Sequence, residues 1–397
     1  MTKHSRGALP ALLVGLGLLA LTANTAQAGP FVQTNLVSNH PGLAPITDPN
    51  LNNPWGVSES TTSPFWVSDQ GRNLATLYTV TGAGVSKASL EVSIPTTAAG
   101  PQGPTGQVFN NQAGSFLLPG GSPATFIFAN LNGTISAWNG GTAAVIQATT
   151  PGAVYTGLAI ASNASGPLLY AANSSQNRID VFNSSFAPVS LGPNAFQNPV
   201  AGLVPFNVQT ISGRIFVTYA PDGRAAQIAA PEGSGAVAIF DTSGHLLQTL
   251  ISGSSSGNKL ASPWGMTLAP LGFGPFGGDL LVGNFSFVAS EINAFDPNTG
   301  AFLGTIPIDV GAGNTPGGLW ALIVGNGGNG GNPLTVYFSS GINGEVDGLF
   351  ASLAPVPEPG TLALLGPGLA AMAGVAWRMR RHKALALRSE IGRRRLV

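Results

Sequence analysis

One short phrase recurs along this chain and constrains its fold more than any other feature: Pro-x-Gly followed at once by a β-type run. It reads Pro54-Trp55-Gly56, Pro104-Thr105-Gly106 and Pro263-Trp264-Gly265, with weaker copies at Tyr155-Thr156-Gly157, Pro205-Phe206-Asn207 and Pro316-Gly317-Gly318. The third residues fall at 56, 106, 157, 207, 265 and 318, a repeat within the ~40–50-residue range of propeller blades. After each opening comes a second apolar run ending in a small, acidic or amide residue: PFWVSD, TFIFAN, LLYAAN, RIFVTYA, DLLVGN and TVYFSS. A third run closes on an aromatic, and a fourth, such as HLLQTLI or AFLGTIP, completes the unit. Strand-sized runs of Val, Ile, Phe, Tyr and Leu dominate, and helical periodicity is absent between the two ends.

Four strands per unit, repeated six times, specify an all-β fold, a six-bladed β-propeller with four-stranded blades. The sixth unit lacks a fourth strand. The run Phe31–Ser38, left over ahead of the first unit, can supply it from the opposite terminus and leave no open edge. An open sandwich or a β-solenoid is the competing architecture. Charge content agrees with stacked blades: charged residues make up only 8% of the chain, against roughly 25% in ordinary soluble proteins. Faces buried between sheets leave few places for Lys or Glu.

The two ends read as addresses. Lys3 and Arg6 precede an apolar run from Ala8 to Leu21, and Ala26-Gln27-Ala28 follows. That is the layout of a signal peptide over residues 1–28, with Ala26 and Ala28 at the recognition positions for signal peptidase. At the other end Pro357-Glu358-Pro359 precedes Gly360–Trp377, which has no charge and is long enough as a helix to cross a bilayer core. Arg378, Arg380, Arg381 and Lys383 follow, so the positive-inside rule leaves that end in the cytoplasm. Residues 354–397 thus resemble a PEP-CTERM sorting signal of Gram-negative bacteria. The resemblance implies an exosortase as partner, transient residence of helix 360–377 in the inner membrane, cleavage near Pro-Glu-Pro, and delivery to the cell surface or extracellular matrix. A simple single-pass anchor is the alternative.

Net charge is zero, 16 basic against 16 acidic residues, but the signs segregate. Residues 29–353, the expected propeller, hold 6 basic and 14 acidic side chains, while residues 354–397 hold 8 basic and 2 acidic. An acidic, sparsely charged body excludes nucleic acid as a partner and favours hydroxyl-rich or cationic ones. The chain has no Cys, which removes disulfides, thiolate metal sites and cysteine nucleophiles.

No catalytic constellation assembles. His40 and His245 lie in different units, with no triad or histidine metal cluster around them. Gly253-Ser254-Ser255-Ser256-Gly257 matches a nucleophile elbow but has no helix after it. Gly325-Asn326-Gly327-Gly328-Asn329-Gly330 matches a dinucleotide fingerprint but runs into a strand. Two candidate sets remain at the channel mouth. Trp55, Trp264 and Trp320 can stack on sugar rings or act as wedges between blades. Asp69, Asn130, Asn173 and Asn284, at the ends of second strands, can bind sugar hydroxyls or a divalent cation, with Asp69 as the metal ligand, or cap local turns. No cofactor is required by any motif.

The stretches Asp48-Pro49-Asn50-Leu51, Asn53-Pro54-Trp55-Gly56, Ser63–Asp69, Ala261–Gly265, Leu280–Phe285 and Ile292–Pro297 resemble an uncharacterised family of secreted bacterial propeller-like proteins that carry this tail. That resemblance implies a fold and a location but no activity. The openings also lack the Asn and Asp ligands that lactonase-like six-bladed propellers carry there. The expectation is therefore a non-enzymatic, surface-delivered propeller binding exopolysaccharide. A metal-dependent lyase or hydrolase working at the channel mouth is the alternative.

Overall fold

Strand pairing follows the repeat. The computed structural model describes residues 31–356 apart from Ala99 and Ser254; the signal segment 1–28, the Pro357–Pro359 motif, helix 360–377 and the basic end lie outside the described residues. An N-terminal strand β1 (Phe31–Ser38) and a two-residue strand β2 (Ile46–Thr47) precede the first blade. Blade 1 is β3 (Pro54–Ser58), β4 (Phe65–Asp69), β5 (Leu74–Thr81) and β6 (Gly84–Ser93). Blade 2 is β7 (Pro104–Phe109), β8 (Phe126–Asn130), β9 (Thr134–Trp138) and β10 (Val145–Thr149). Blade 3 is β11 (Tyr155–Asn163), β12 (Gly166–Asn173) and β13 (Arg178–Asn183). Blade 4 is β14 (Leu203–Ile211), β15 (Arg214–Pro221), β16 (Ala236–Phe240) and β17 (Leu246–Ile251). Blade 5 is β18 (Pro263–Leu268), β19 (Leu280–Asn284), β20 (Ile292–Phe295) and β21 (Phe302–Ile306). Blade 6 is β22 (Leu319–Val324), β23 (Val336–Ser340) and β24 (Leu349–Pro355).

The fourth strand of blade 6 is β1. It runs antiparallel to β24 from Phe31 opposite Pro355 to Ser38 opposite Leu349. Each first strand packs against the next around the axis, and β22 returns to β3, so the ring is a closed six-bladed propeller.

The recurrent opening has a geometric cause. Every first strand carries a register shift against its second strand at this point, between Pro54 and Val57, Pro104 and Gln107, Tyr155 and Gly157, Pro205 and Asn207, Pro263 and Met266, and Leu319 and Leu322. A bulge kinks the strand and re-aims one side chain toward the axis. At four of the six openings, directly after it, the neighbouring blade comes so close that only hydrogen fits, and Ala321 carries a methyl at the sixth. A Cβ on Gly56 would sit 2.4 Å from the Thr105 carbonyl oxygen, and one on Gly106 would sit 2.3 Å from the Leu158 nitrogen. Where Asn207 replaces glycine, its amide bridges the gap instead, donating to the Trp264 carbonyl at 2.8 Å.

Two features depart from the simple repeat. By pairing, the sixth opening is Leu319-Trp320-Ala321, three residues beyond Pro316-Gly317-Gly318. Trp320 therefore occupies the same blade position as Trp55 and Trp264. Blade 3 has three strands rather than four. The segment after β13 makes a single antiparallel bridge, Phe182 opposite Pro188, held by the Asn183 amide donating to the Ala187 carbonyl and the Val189 amide to the Val181 carbonyl.

The core lies between blades rather than in one central mass. Trp66, Phe126 and Phe128 fill the space between blades 1 and 2, and Tyr170, Phe196 and Phe240 that between blades 3 and 4. A separate aromatic cluster sits on the axis, and it shapes the site.

Candidate functional site

The bulge brings residues from non-adjacent blades together on the axis. Trp55, Phe206, Trp264 and Trp320 meet there, joined by Phe285 from the loop after β19. Trp55 and Trp320 stack with centroids 3.5 Å apart, Trp264 stands edge-on to Trp320 at 5.6 Å, and Phe285 stacks on Trp320 from the other side at 4.5 Å. Trp264 Nε1 donates to the Thr156 carbonyl at 2.8 Å, and Trp320 Nε1 donates to Asn53 Oδ1 at 3.0 Å. The plug divides the channel in two.

Beyond it, at the end where first strands begin, lies a cavity of about 440 Å³. Trp55 and Phe206 line it, with Leu131 and Val154 beside them. Its polar lining comes from Asn53, Gln70, Ser174, Ser175, Asp222, Gln227, Arg224 and Glu345. Part of this lining is pre-set by hydrogen bonds: Asn53 Nδ2 donates to Gln70 Oε1 at 2.7 Å, and Gln70 Nε2 to the Gln102 carbonyl at 2.7 Å. The opposite cavity, about 320 Å³, is lined mainly by the first strands themselves, with Glu59, Gln107 and Trp264. Burial raises the Glu59 carboxyl to about 9, so it is neutral at pH 7.

Arg224 and Glu345 are the charged pair of the mouth. Arg224 opens the short helix α1 (Arg224–Ile228) in the loop after β15. The far end of α1 is tied to blade 5, since Ser262 Oγ donates to the Gln227 carbonyl and the Phe287 amide to the Ile228 carbonyl. The guanidinium lies 4.1 Å from the centroid of Phe285, with Trp320 and Trp55 at 5.5 and 5.9 Å. It donates through NH2 to Glu345 Oε2. Arg224 keeps 39% of its side-chain surface, but it stands in a concave mouth whose walls displace much of its hydration, which lowers its pKa to about 10. Glu345 ends the turn α2 (Ile342–Glu345) in a left-handed conformation, φ +69°. Two buried polar atoms here have no partner: Trp55 Nε1 and Glu345 Oε1.

Of the three tryptophans singled out by sequence, Trp55 lines the mouth, Trp264 lines the opposite cavity, and Trp320 is fully buried between Trp55 and Phe285. The polar set is placed differently. Asp69, Asn130, Asn173 and Asn284 have no exposed surface, and none lines either channel cavity. Asp69 accepts from Thr76 Oγ1 at 2.7 Å, and burial raises its carboxyl well above the usual range. Asn130 donates to Thr134 and Ser136, Asn173 to Gln176 and Asp180, and Asn284 to the Lys259 carbonyl. These residues serve their own or neighbouring turns. Among the described residues no three His, Asp or Glu side chains gather as a ligand set for a metal.

Arg224, Glu345 and Asp222 escaped sequence reasoning because they lie in loops outside the repeat. The available signal was scarcity, since residues 29–353 contain only 6 basic side chains.

Residues 355–381 match the PEP-CTERM protein-sorting motif. Two relatives are uncharacterised proteins of Acanthamoeba polyphaga mimivirus. R648 is 29% identical over 68% of this chain and 67% of its own length; L690 is 29% identical over 80% and 84%. Among solved structures, a streptogramin B lyase aligns with a TM-score of 0.47 at 11% identity, covering 82% of this chain and 97% of that one. A protein of unknown function from Bacteroides thetaiotaomicron aligns at 0.49 with 12% identity, covering 82% and 76%, and a glucose dehydrogenase at 0.48 with 12%, covering 81% and 98%. The chain is thus a six-bladed propeller carrying a PEP-CTERM sorting signal, a motif that implies exosortase processing and export.

Proposed function

We propose that this chain is a non-enzymatic binding propeller, delivered to the cell surface or matrix, that holds a sugar of an exopolysaccharide in its channel mouth. In this reading signal peptidase removes residues 1–28, the helix 360–377 rests transiently in the inner membrane of a Gram-negative cell, and exosortase cuts near Pro357–Pro359. The observation that carries the binding role is the mouth cavity. It joins an apolar, aromatic surface at Trp55 and Phe206 to amides, hydroxyls and charges on its walls. Sugars present apolar ring faces and polar edges, and sites that hold them need both kinds of surface.

The test is calorimetric titration of the full-length protein in detergent with exopolysaccharide from the parent organism. Binding is expected, and Trp55→Ala should abolish it. Because Trp55 also packs in the plug, Ser175→Trp serves as a second variant; it fills the mouth from an exposed position and should block binding while unfolding stays cooperative, its midpoint lowered modestly by loss of the bonds that Ser175 Oγ makes to the Gly152 carbonyl and accepts from the Val154 amide. Absence of binding by the wild type, or full binding by Ser175→Trp, refutes the proposal.

A further inference from the structure

Resting on that reading, the geometry points to the charge class of the sugar. We infer that the mouth is an aromatic cage for a cationic group, that Arg224 occupies it as an internal stand-in, and that the ligand is an amine-bearing sugar which displaces Arg224 and pairs with Glu345.

Four observations support this. The cage already holds a cation: the guanidinium sits over Phe285 with Trp320 and Trp55 within 6 Å, the range in which aromatic faces attract positive charge. The counter-charge exceeds what Arg224 can use, since Asp222 also lines the cavity and Glu345 Oε1 remains without a partner beside the paired Oε2. An ammonium group has three donors and can satisfy the orphan oxygen. Arg224 can also leave. Its side chain keeps 39% of its surface exposed at the head of α1, so a rotamer change alone can carry it into water while the far end of α1 stays anchored on blade 5. Finally, the propeller is acidic, with 14 acidic against 6 basic residues over 29–353, so the long-range field attracts a cationic polymer and repels an anionic one.

The experiment compares three tetrasaccharides of one backbone that differ only at C2: cellotetraose with hydroxyl, the N-acetylglucosamine tetramer, and the glucosamine tetramer at a pH that charges its amine. Each is titrated into the full-length protein in detergent. The glucosamine tetramer should bind about ten-fold more tightly than the other two, on the order of a desolvated cation–π contact. Arg224→Ala, which removes the competing cation, should strengthen amine binding several-fold. Glu345→Gln should erase the preference for the amine, so that the three tetramers bind with equal affinity.

Equal affinity for the three sugars overturns the charge assignment and leaves the sugar-binding proposal standing. Loss of amine binding in Arg224→Ala overturns the stand-in role, because Arg224 would then contact the ligand. A lysine- or arginine-rich peptide that outcompetes the glucosamine tetramer overturns the assignment to a sugar. Failure of all three tetramers overturns the inference, and the titration with native exopolysaccharide then decides whether the broader proposal falls with it.

Discussion

Gly106→Ala tests the central physical claim about this propeller, that its blades meet on the axis through hydrogen-sized gaps. The added Cβ would lie 2.3 Å from the Leu158 nitrogen, 2.7 Å from the Gly157 carbonyl carbon and 2.8 Å from the Gly157 Cα. All three are backbone atoms of blade 3, so no side chain can swing aside. The two first strands must separate by about 1 Å to reach ordinary contact. That movement also lengthens the bond from Thr105 Oγ1 to the Tyr155 carbonyl, now 2.8 Å, which ties the same two strands. Overpacking of this kind costs about 1–3 kcal/mol and the lost bond about 1 kcal/mol, so a loss of roughly 2–4 kcal/mol is expected. Gly82→Ala is the control. It sits in the β5–β6 turn with nothing near its added carbon and should change stability by less than about 1 kcal/mol. Denaturant unfolding followed by tryptophan fluorescence compares them. If Gly106→Ala matches the control, close approach is not what the repeat encodes.

Four further outcomes follow from individual contacts. Burial raises the Glu59 carboxyl from 4.5 to about 9, so the folded state holds a proton that the unfolded chain releases. Its contribution is present below pH 4.5 and is lost as the pH climbs through 9; Glu59→Gln should flatten the fall in melting temperature over that window, and an unchanged slope would reject the assignment. Asp69 is buried with Oδ2 accepting from Thr76 and Oδ1 without a partner, an arrangement an amide can also fill, so Asp69→Asn should keep stability within about 1 kcal/mol and dialysis against a chelator should leave the melt unchanged. A metal held by Asp69 predicts the reverse of both. Trp264→Phe removes the donor to the buried Thr156 carbonyl and should lower stability by about 1–3 kcal/mol in denaturant titrations, with wild-type stability counting against the plug. Deleting Phe31–Ser38 opens the ring at β24 and should send the protein to the insoluble fraction; a soluble monomer with the wild-type melt would show that closure by β1 is dispensable.

The parts of this molecule that were legible in the sequence are those the repeat dictates. Second and third strands read clearly because their runs are short, β-rich and bounded by turn residues, and Phe31–Ser38 stood out because one unit lacked a strand. The sixth opening was misplaced because Pro316-Gly317-Gly318 imitates the phrase, while Leu319-Trp320-Ala321 carries the bulge. The strand missing from blade 3 was hidden because Val189 and Leu191 alternate with Pro188 and Ser190 as in a strand, while the segment holds only one bridge to β13. The site divides in the same way. Trp55, which lines the mouth cavity, is marked in the sequence by its repeated position. Arg224 and Glu345 are not, since the repeat does not reach the loops 222–235 and 341–348. The recurring amides misled for the converse reason: Asn130 and Asn173 recur because each blade needs its turn held.

The position of the sorting signal in the ring is itself informative. The match to the motif begins at Pro355, the last residue of β24, and Pro355 pairs with Phe31 at the start of the closing strand. No linker separates propeller from address. Yet the whole seam, Phe31–Ser38 against Leu349–Pro355, lies on the N-terminal side of Pro357-Glu358-Pro359. Every hydrogen bond of the β1–β24 ladder is therefore made by residues that remain on the propeller after a cut near that motif. The acid–base imbalance follows the same boundary, since the basic cluster lies in residues 354–397 and the propeller is acidic. Processing there would release a closed ring and, with the same stroke, unmask the negative charge that suits a cationic glycan at its mouth.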